Sequence, residues 1–116
     1  RDKIANKYTV SLSPFYKTPL IPIGYKSSWA QYSIIIPEKF NRIKVINILN
    51  KLKIPNMIYY STPLHMQKVF KYLGYNVGDF PIAEKISKNI LSLPMSPYLK
   101  KNEQDFIIGE LIELIK

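Results

Sequence analysis

Cysteine is absent from the chain, and histidine occurs once, as His65. The absence of cysteine excludes disulfides, thiolate metal sites and cysteine nucleophiles. A single imidazole also excludes the histidine clusters that hold zinc, so no metal-binding residue is predicted. No apolar run approaches the roughly 18 residues that a membrane-spanning helix needs, which predicts no membrane partner. The 116 residues, 47% of them hydrophobic and 22% charged, predict a single globular domain over residues 1–116.

Glycine is scarce, and none of the four glycines falls in a phosphate-binding loop pattern. No G-x-S-x-G turn positions a serine nucleophile, and no sequence rule pairs two carboxylates for acid–base work. The residues therefore predict neither a catalytic nor a cofactor-binding residue within the chain. On this ground we expect the 116 residues alone to be inactive as an enzyme.

Acidic residues are outnumbered, with eight Asp and Glu against seventeen Lys and Arg, for a net charge of +9. A basic domain invites a nucleic-acid interpretation. Only Arg1 and Arg42 are arginines, however, and arginine makes the bidentate contacts to guanine and phosphate. The fifteen lysines that remain are scattered along the chain. The charge pattern therefore predicts no nucleic-acid partner, although polyanion binding stays open as an alternative.

Hydrophobic periodicity predicts alternating helices and strands. Residues 2–8 are typical of the end of a helix, and residues 9–26, with three prolines, of an extended loop. Residues 29–36 alternate like a strand, with Tyr32, Ile34 and Ile36 on one face. A helix is predicted over 38–52, short strands at 57–60 and 91–93, and a last helix with a capping box from Asn102 to Asp105.

Two further helices are predicted between these strands. The first of these helices begins at Pro63 and ends at Gly74, and the second begins near Pro81. The first helix is expected to bury an apolar stripe of Met66, Val69, Phe70 and Leu73. The second helix is expected to have an apolar face of Ile82, Ala83, Ile86 and Ile90. Asp79 is expected to cap the second helix, and Glu84 to pair with Lys88. The fold class predicted is α/β, a small sheet packed with about four helices.

Three ordered motifs lie between Tyr60 and Leu99. The first comprises Tyr60, Pro63, Leu64, His65 and Gln67; the second Gly78, Asp79, Pro81, Ala83 and Glu84; the third is LSLPM-S-PYL over 91–99. Together they resemble the carboxy-terminal region of the DegT-type family of pyridoxal-phosphate aminotransferases. Ser61 stands where the family often has proline, and Lys53 where it usually has glycine.

The resemblance implies the carboxy-terminal small domain of a fold-type I aminotransferase. Such enzymes use pyridoxal phosphate to move an amino group, usually from glutamate, onto a nucleotide-linked keto sugar. They are typically homodimers, and a cytoplasmic location is expected. In the family, the lysine that binds the cofactor belongs to a large amino-terminal domain that these residues do not include.

The resemblance also implies that Tyr60, His65 and Gln67 bind the substrate. The residues alone favour other roles for two of them: a packed or capping position at the start of a helix for His65, and a solvent-facing position for Gln67. Arg42 pairs with a carboxylate across a domain interface or stays exposed. A non-catalytic regulatory or binding module, and the inert remnant of a split gene, are the alternative functions. Because the first residue is Arg1, a trimmed, processed or fragmentary chain is expected.

Overall fold

The structure is a computed structural model that describes residues 1–116. It contains four α-helices, α1 (Asp2–Leu12), α2 (Arg42–Lys51), α3 (Pro81–Asn89) and α4 (Lys101–Glu113). Two strands, β1 (Tyr32–Ile35) and β2 (Ile90–Leu93), and two 3₁₀ segments, Leu64–Met66 and Lys68–Leu73, complete the chain. The predicted α/β class with about four helices is confirmed. None of the helices has the length and apolar character that crossing a membrane requires.

The sheet consists of β1 and β2 paired antiparallel, with Tyr32 opposite Leu93 and Ile35 opposite Ile90. The strand predicted over 29–36 starts only at Tyr32, because Trp29 has a φ of 50° that interrupts extended backbone. The strand predicted at 57–60 is reduced to one bridge between Met57 and Ser92. The sheet is thus smaller than the sequence predicted, although its two main strands are correctly placed.

The core lies where α1 and α4 pack beside β1. The alternation predicted for β1 is confirmed, since Tyr32, Ile34 and Ile36 are all buried. The ring of Tyr8 packs 5.1 Å from that of Tyr32. The Tyr16 hydroxyl donates to the Leu111 carbonyl of α4 at 2.6 Å. The buried apolar set comprises Ala5, Tyr8, Leu12, Tyr16, Tyr32, Ile34, Ile36, Val45, Leu49, Ile54, Leu91, Leu93, Ile107, Ile108 and Leu111.

Three helix boundaries differ from the prediction. Helix α1 continues to Leu12 instead of ending near residue 8, because Ala5, Tyr8 and Leu12 form one buried stripe against the core. Helix α2 begins at Arg42, where the side chain of Asn41 accepts from the backbone N–H groups of Ile43 and Lys44. Helix α4 begins at Lys101, earlier than the capping box predicted at Asn102 and Asp105 implies; the box is present, but at Lys100 and Glu103.

At the start of α4 the capping carboxylate belongs to Glu103 and not to Asp105. Glu103 Oε2 accepts from the backbone N–H of Lys100 at 2.9 Å. This bond satisfies a backbone donor just before the helix and suits the positive end of the helix dipole. Helix α4 consequently begins at Lys101.

The helix predicted from Pro63 is also wrong. The segment forms two 3₁₀ turns separated by Gln67, whose ψ of 139° is extended. Its predicted stripe is not buried, and Val69 is 67% exposed. Most helical stability in proteins comes from packing an apolar face. Because no part of this chain covers the stripe, the spacing alone does not produce a regular helix.

Candidate functional site

A buried carboxylate on α3 joins three parts of the chain. Glu84 lies in the first turn of α3, and its side chain is 10% exposed. Glu84 Oε1 accepts from the backbone N–H of Gly78 at 2.8 Å and lies 2.9 Å from His65 Nε2. Gly78 adopts a φ of 97°, which favours glycine because it has no Cβ. Glu84 thus ties the 3₁₀ segment and the loop before α3 to the helix.

The environment of Glu84 keeps its carboxylate charged. The Gly78 N–H, which bonds the charged form, lowers the pKa of Glu84, and His65 lowers it further, whereas burial opposes both effects. The predicted pair between Glu84 and Lys88 is therefore wrong, because the carboxylate faces inward to His65. The predicted apolar face of α3 is displaced as well: Glu84 and Ser87 are buried, and Ile82 is exposed.

Aromatic rings pack around the imidazole. The His65 ring lies 4.8 Å from the Phe80 ring, and Tyr75 meets Phe80 edge-on at 5.0 Å. These rings border an apolar cavity of 400 Å³ between the 3₁₀ segments and α3. Its lining comprises Leu64, His65, Phe70, Leu73, Tyr75, Phe80 and Ala83. His65 is the only ionisable side chain in this lining apart from the phenol of Tyr75.

A second, more polar cleft of 450 Å³ is formed by residues 59–68, which include the first 3₁₀ segment. It is lined by Tyr59, Tyr60, Ser61, Thr62, Met66, Gln67 and Lys68. Tyr60 is 69% exposed, and Gln67 Nε2 donates to the Thr62 carbonyl at 3.4 Å. The structure therefore places Tyr60 and Gln67 in one cleft, which we call the polar cleft. It places His65 beside the apolar cavity instead.

Sequence reasoning missed the role of Glu84 and misassigned Asp79. Asp79 Oδ2 accepts from the backbone N–H of Asn76 at 2.7 Å, so it holds the turn and does not cap α3. The residue at the N-cap of α3 is Phe80, with no side-chain cap. The available signal was the spacing from Gly78 to Glu84 across Pro81, the first residue of the helix. That spacing places a carboxylate one turn into the helix, facing back toward the loop.

Comparison with known proteins assigns the chain to a family. The model of the DegT/DnrJ/EryC1/StrS aminotransferase family matches residues 1–112, nearly the whole chain. The chain belongs to this family. The resemblance that the three motifs predicted is confirmed.

Individual DegT-family relatives agree with this assignment. The "Pleiotropic regulatory protein" of Geobacillus stearothermophilus is 41% identical over 99 residues, which are 85% of this chain and 26% of that protein. The "UDP-2-acetamido-2-deoxy-3-oxo-D-glucuronate aminotransferase" of Pseudomonas aeruginosa is 31% identical over 100 residues, again 85% of this chain and 26% of that protein.

The fold is likewise that of a DegT-type protein. A crystal structure of a DegT DnrJ EryC1 StrS aminotransferase from Brucella abortus superposes with a TM-score of 0.87 at 40% identity. The match covers 98% of this chain and 30% of the Brucella chain. The chain thus spans about a quarter to a third of the length of the relatives that it matches.

The residues of this DegT-family chain do not fit a complete pyridoxal-phosphate site. Such a site needs a lysine amine, a partner for the pyridine nitrogen and phosphate donors that converge. Fourteen of the fifteen lysines are exposed, and the other, Lys7, pairs with Asp105. The apolar cavity contains no lysine, and the polar cleft contains Lys68 without a carboxylate. No cluster of three or more metal-ligating side chains is present either.

Proposed function

We propose that this chain is the carboxy-terminal small domain of a pyridoxal-phosphate-dependent aminotransferase that acts on a nucleotide-linked keto sugar. The observation that carries the proposal is the family match over residues 1–112, combined with coverage of about 30% of the Brucella aminotransferase. The Pseudomonas relative bears the name of an aminotransferase of a UDP-linked oxo sugar. The cofactor site, the amino donor glutamate, the homodimer and the cytoplasmic location belong to the whole protein and stay predictions.

Within this function, the polar cleft supplies one wall of the substrate site. The exposed ring of Tyr60 offers an apolar face to a sugar or a base, with a hydroxyl at its tip. The amide of Gln67 can orient a sugar hydroxyl, because it both donates and accepts hydrogen bonds. Lys68 brings a positive charge that suits a diphosphate. His65 lines the neighbouring apolar cavity and not the polar cleft. Its substrate role is taken from the family resemblance, and on that ground we assign one of its ring nitrogens to the same substrate.

The test uses the native protein that contains this chain. We expect Tyr60→Ala and Gln67→Ala to raise the KM for the nucleotide sugar by about tenfold, equivalent to about 1.4 kcal/mol. The KM for the amino donor should not change, because the donor reacts in a separate half-reaction. Tyr72→Ala is the matched control, since Tyr72 is exposed in the same segment and lines neither cavity. Unchanged kinetics in both cleft variants would contradict the assignment of the cleft.

A regulatory binding module is the second candidate function. The Geobacillus relative is named a pleiotropic regulatory protein, and the chain carries a net charge of +9. Specific DNA binding would show a site preference as well as a steep loss of affinity with salt. Absorbance of bound pyridoxal phosphate in the native protein, with transfer of nitrogen to a nucleotide sugar, supports the enzyme instead. If the native protein binds neither pyridoxal phosphate nor DNA, the result supports the inert remnant of a split gene.

A further inference from the structure

The substrate role proposed for His65 leaves its buried partner Glu84 without a function. A carboxylate removed from water is costly unless hydrogen bonds compensate for the lost hydration. Glu84 Oε1 receives two such contacts, from the Gly78 N–H at 2.8 Å and from His65 Nε2 at 2.9 Å. The side chains of His65 and Glu84 are 7% and 10% exposed. Solvent therefore competes little for this pair.

The contact with Glu84 decides which nitrogen of His65 carries a proton. An ionised carboxylate only accepts hydrogen bonds, so Nε2 must be protonated to bond with it. In the neutral imidazole, Nδ1 is then the unprotonated acceptor nitrogen. His65 forms no other hydrogen bond in the chain, which leaves Nδ1 without a partner from these residues.

The geometry also restricts rotation of the imidazole. The Phe80 ring packs against the imidazole, and 4.8 Å separates the centres of the two rings. Phe80 is itself held edge-on by Tyr75. The Gly78 N–H anchors the same carboxylate oxygen that meets His65, so Glu84 cannot follow a rotated imidazole without losing that bond. Turning the ring to exchange its nitrogens would therefore leave a buried carboxylate partly unsatisfied.

We propose that Glu84 is a positioning residue that occupies Nε2 of His65, so that Nδ1 is the ring nitrogen offered to the nucleotide-sugar substrate. The inference rests on the proposed function, because it takes the substrate role of His65 from there. It adds the atom through which His65 binds and the residue that selects this atom. Carboxylates commonly fix the orientation and tautomer of a functional histidine in this way.

A spectroscopic experiment tests the proton position without altering Glu84. The native protein that contains this chain is labelled with ¹⁵N-histidine, and the His65 signals are identified by their loss in His65→Asn. Long-range ¹H–¹⁵N spectra then report whether each ring nitrogen is protonated. We expect a proton on Nε2. A neutral ring protonated only at Nδ1 would overturn the proposal, because that tautomer cannot donate from Nε2 to Glu84.

Substitution of Glu84 tests its effect on the substrate. In Glu84→Gln the charge is lost at nearly constant size, and the amide can also donate to Nε2, so we expect a mixture of tautomers. The KM for the nucleotide sugar should rise by the inverse of the fraction of rings that still offer an unprotonated Nδ1, about tenfold if one ring in ten does so. The KM for the amino donor should stay within about twofold. Glu113→Gln, at the exposed end of α4, is the control.

The outcomes separate this inference from the proposed function. A rise in nucleotide-sugar KM for both His65→Asn and Glu84→Gln supports the positioning role. An effect of His65→Asn without an effect of Glu84→Gln overturns the positioning role and leaves the proposed function intact. No effect of His65→Asn removes His65 from the substrate site and overturns the inference with it. Equal losses for both substrates in Glu84→Gln indicate a purely structural role, which also overturns it.

Discussion

The Arg42 guanidinium donates a hydrogen bond of 2.6 Å to the Ser87 carbonyl in the last turn of α3. A second bond, of 3.2 Å, reaches the carbonyl of Ile90 at the start of β2. Arg42 is the first residue of α2, so these bonds join α2 to the junction of α3 and β2. The cation also suits the negative end of the α3 dipole. Arg42 therefore bonds to backbone carbonyls of the chain itself. The sequence analysis predicted either a carboxylate partner across a domain interface or an exposed side chain, and neither prediction includes this contact.

Replacing Arg42 should weaken this junction. We expect Arg42→Gln to lower the free energy of unfolding by about 1–2 kcal/mol, because the charge-assisted bonds to the Ser87 and Ile90 carbonyls are lost. Urea titration followed by circular dichroism measures the change. Lys44→Gln, an exposed change on the same helix, is the control and should stay within about 0.5 kcal/mol of the parent. Equal effects of the two substitutions would contradict the structural role of Arg42.

The buried hydroxyl of Tyr16 offers a second test of the core. Burial raises the pKa of this phenol, so its proton is retained and bonds the Leu111 carbonyl. Tyr16→Phe leaves that carbonyl without its side-chain donor, and we expect a loss of about 1–2 kcal/mol in the free energy of unfolding. Tyr25→Phe is the control, because Tyr25 is exposed. A Tyr16→Phe chain as stable as the control would show that the bond contributes nothing.

The carboxylate of Glu84 predicts a dependence of stability on acid. The pKa of Glu84 in the folded chain lies below its ordinary value of 4.5, so the unfolded chain binds the proton first as the pH falls. The contribution of Glu84 to stability is therefore present above about pH 4.5 and is lost as the pH falls through the folded pKa. The difference in free energy of unfolding between the parent and Glu84→Gln should shrink on acidification.

Urea titrations at several pH values between neutrality and acid measure this difference for Glu84→Gln. Glu113→Gln provides the comparison, because its exposed carboxylate contacts only Lys116 of the same helix end. If the Glu84→Gln difference stays constant across the pH range, the ionised form of Glu84 does not stabilise the fold.

Two glycines should respond in opposite directions to the same substitution. Gly109 lies inside α4 with no neighbouring atom within 4 Å of an added Cβ, so Gly109→Ala should stabilise the chain by about 0.5–1 kcal/mol. Gly74 ends the second 3₁₀ segment with a φ of 77°, and Gly74→Ala should cost about 1–2 kcal/mol. Thermal unfolding of both variants compares the two changes. A destabilised Gly109→Ala chain would indicate that α4 packs differently from this structure.

The elements that the sequence predicted well are those whose buried face repeats regularly. Strand β1 shows strict alternation, and Ile107, Ile108 and Leu111 of α4 are buried as their helical spacing indicates. The spacing of Met66, Val69 and Leu73 is just as regular, yet these side chains are exposed. Periodicity reports which residues can share a face. It does not report whether anything in the chain covers that face.

The sequence by itself determined the family, because three motifs in fixed order identify it, and it determined the core strands, because alternation is a local property of extended backbone. Only the tertiary structure decided the partners of Glu84. Its carboxylate meets Gly78 and His65, which lie six and nineteen residues away. Hydrogen bonds from the Gly78 N–H and from His65, and not the exposed neighbour Lys88, lower the pKa of Glu84 and keep it ionised, whereas burial opposes them. Hydrogen bonding and desolvation at a charged side chain depend on contacts that close only when the chain folds.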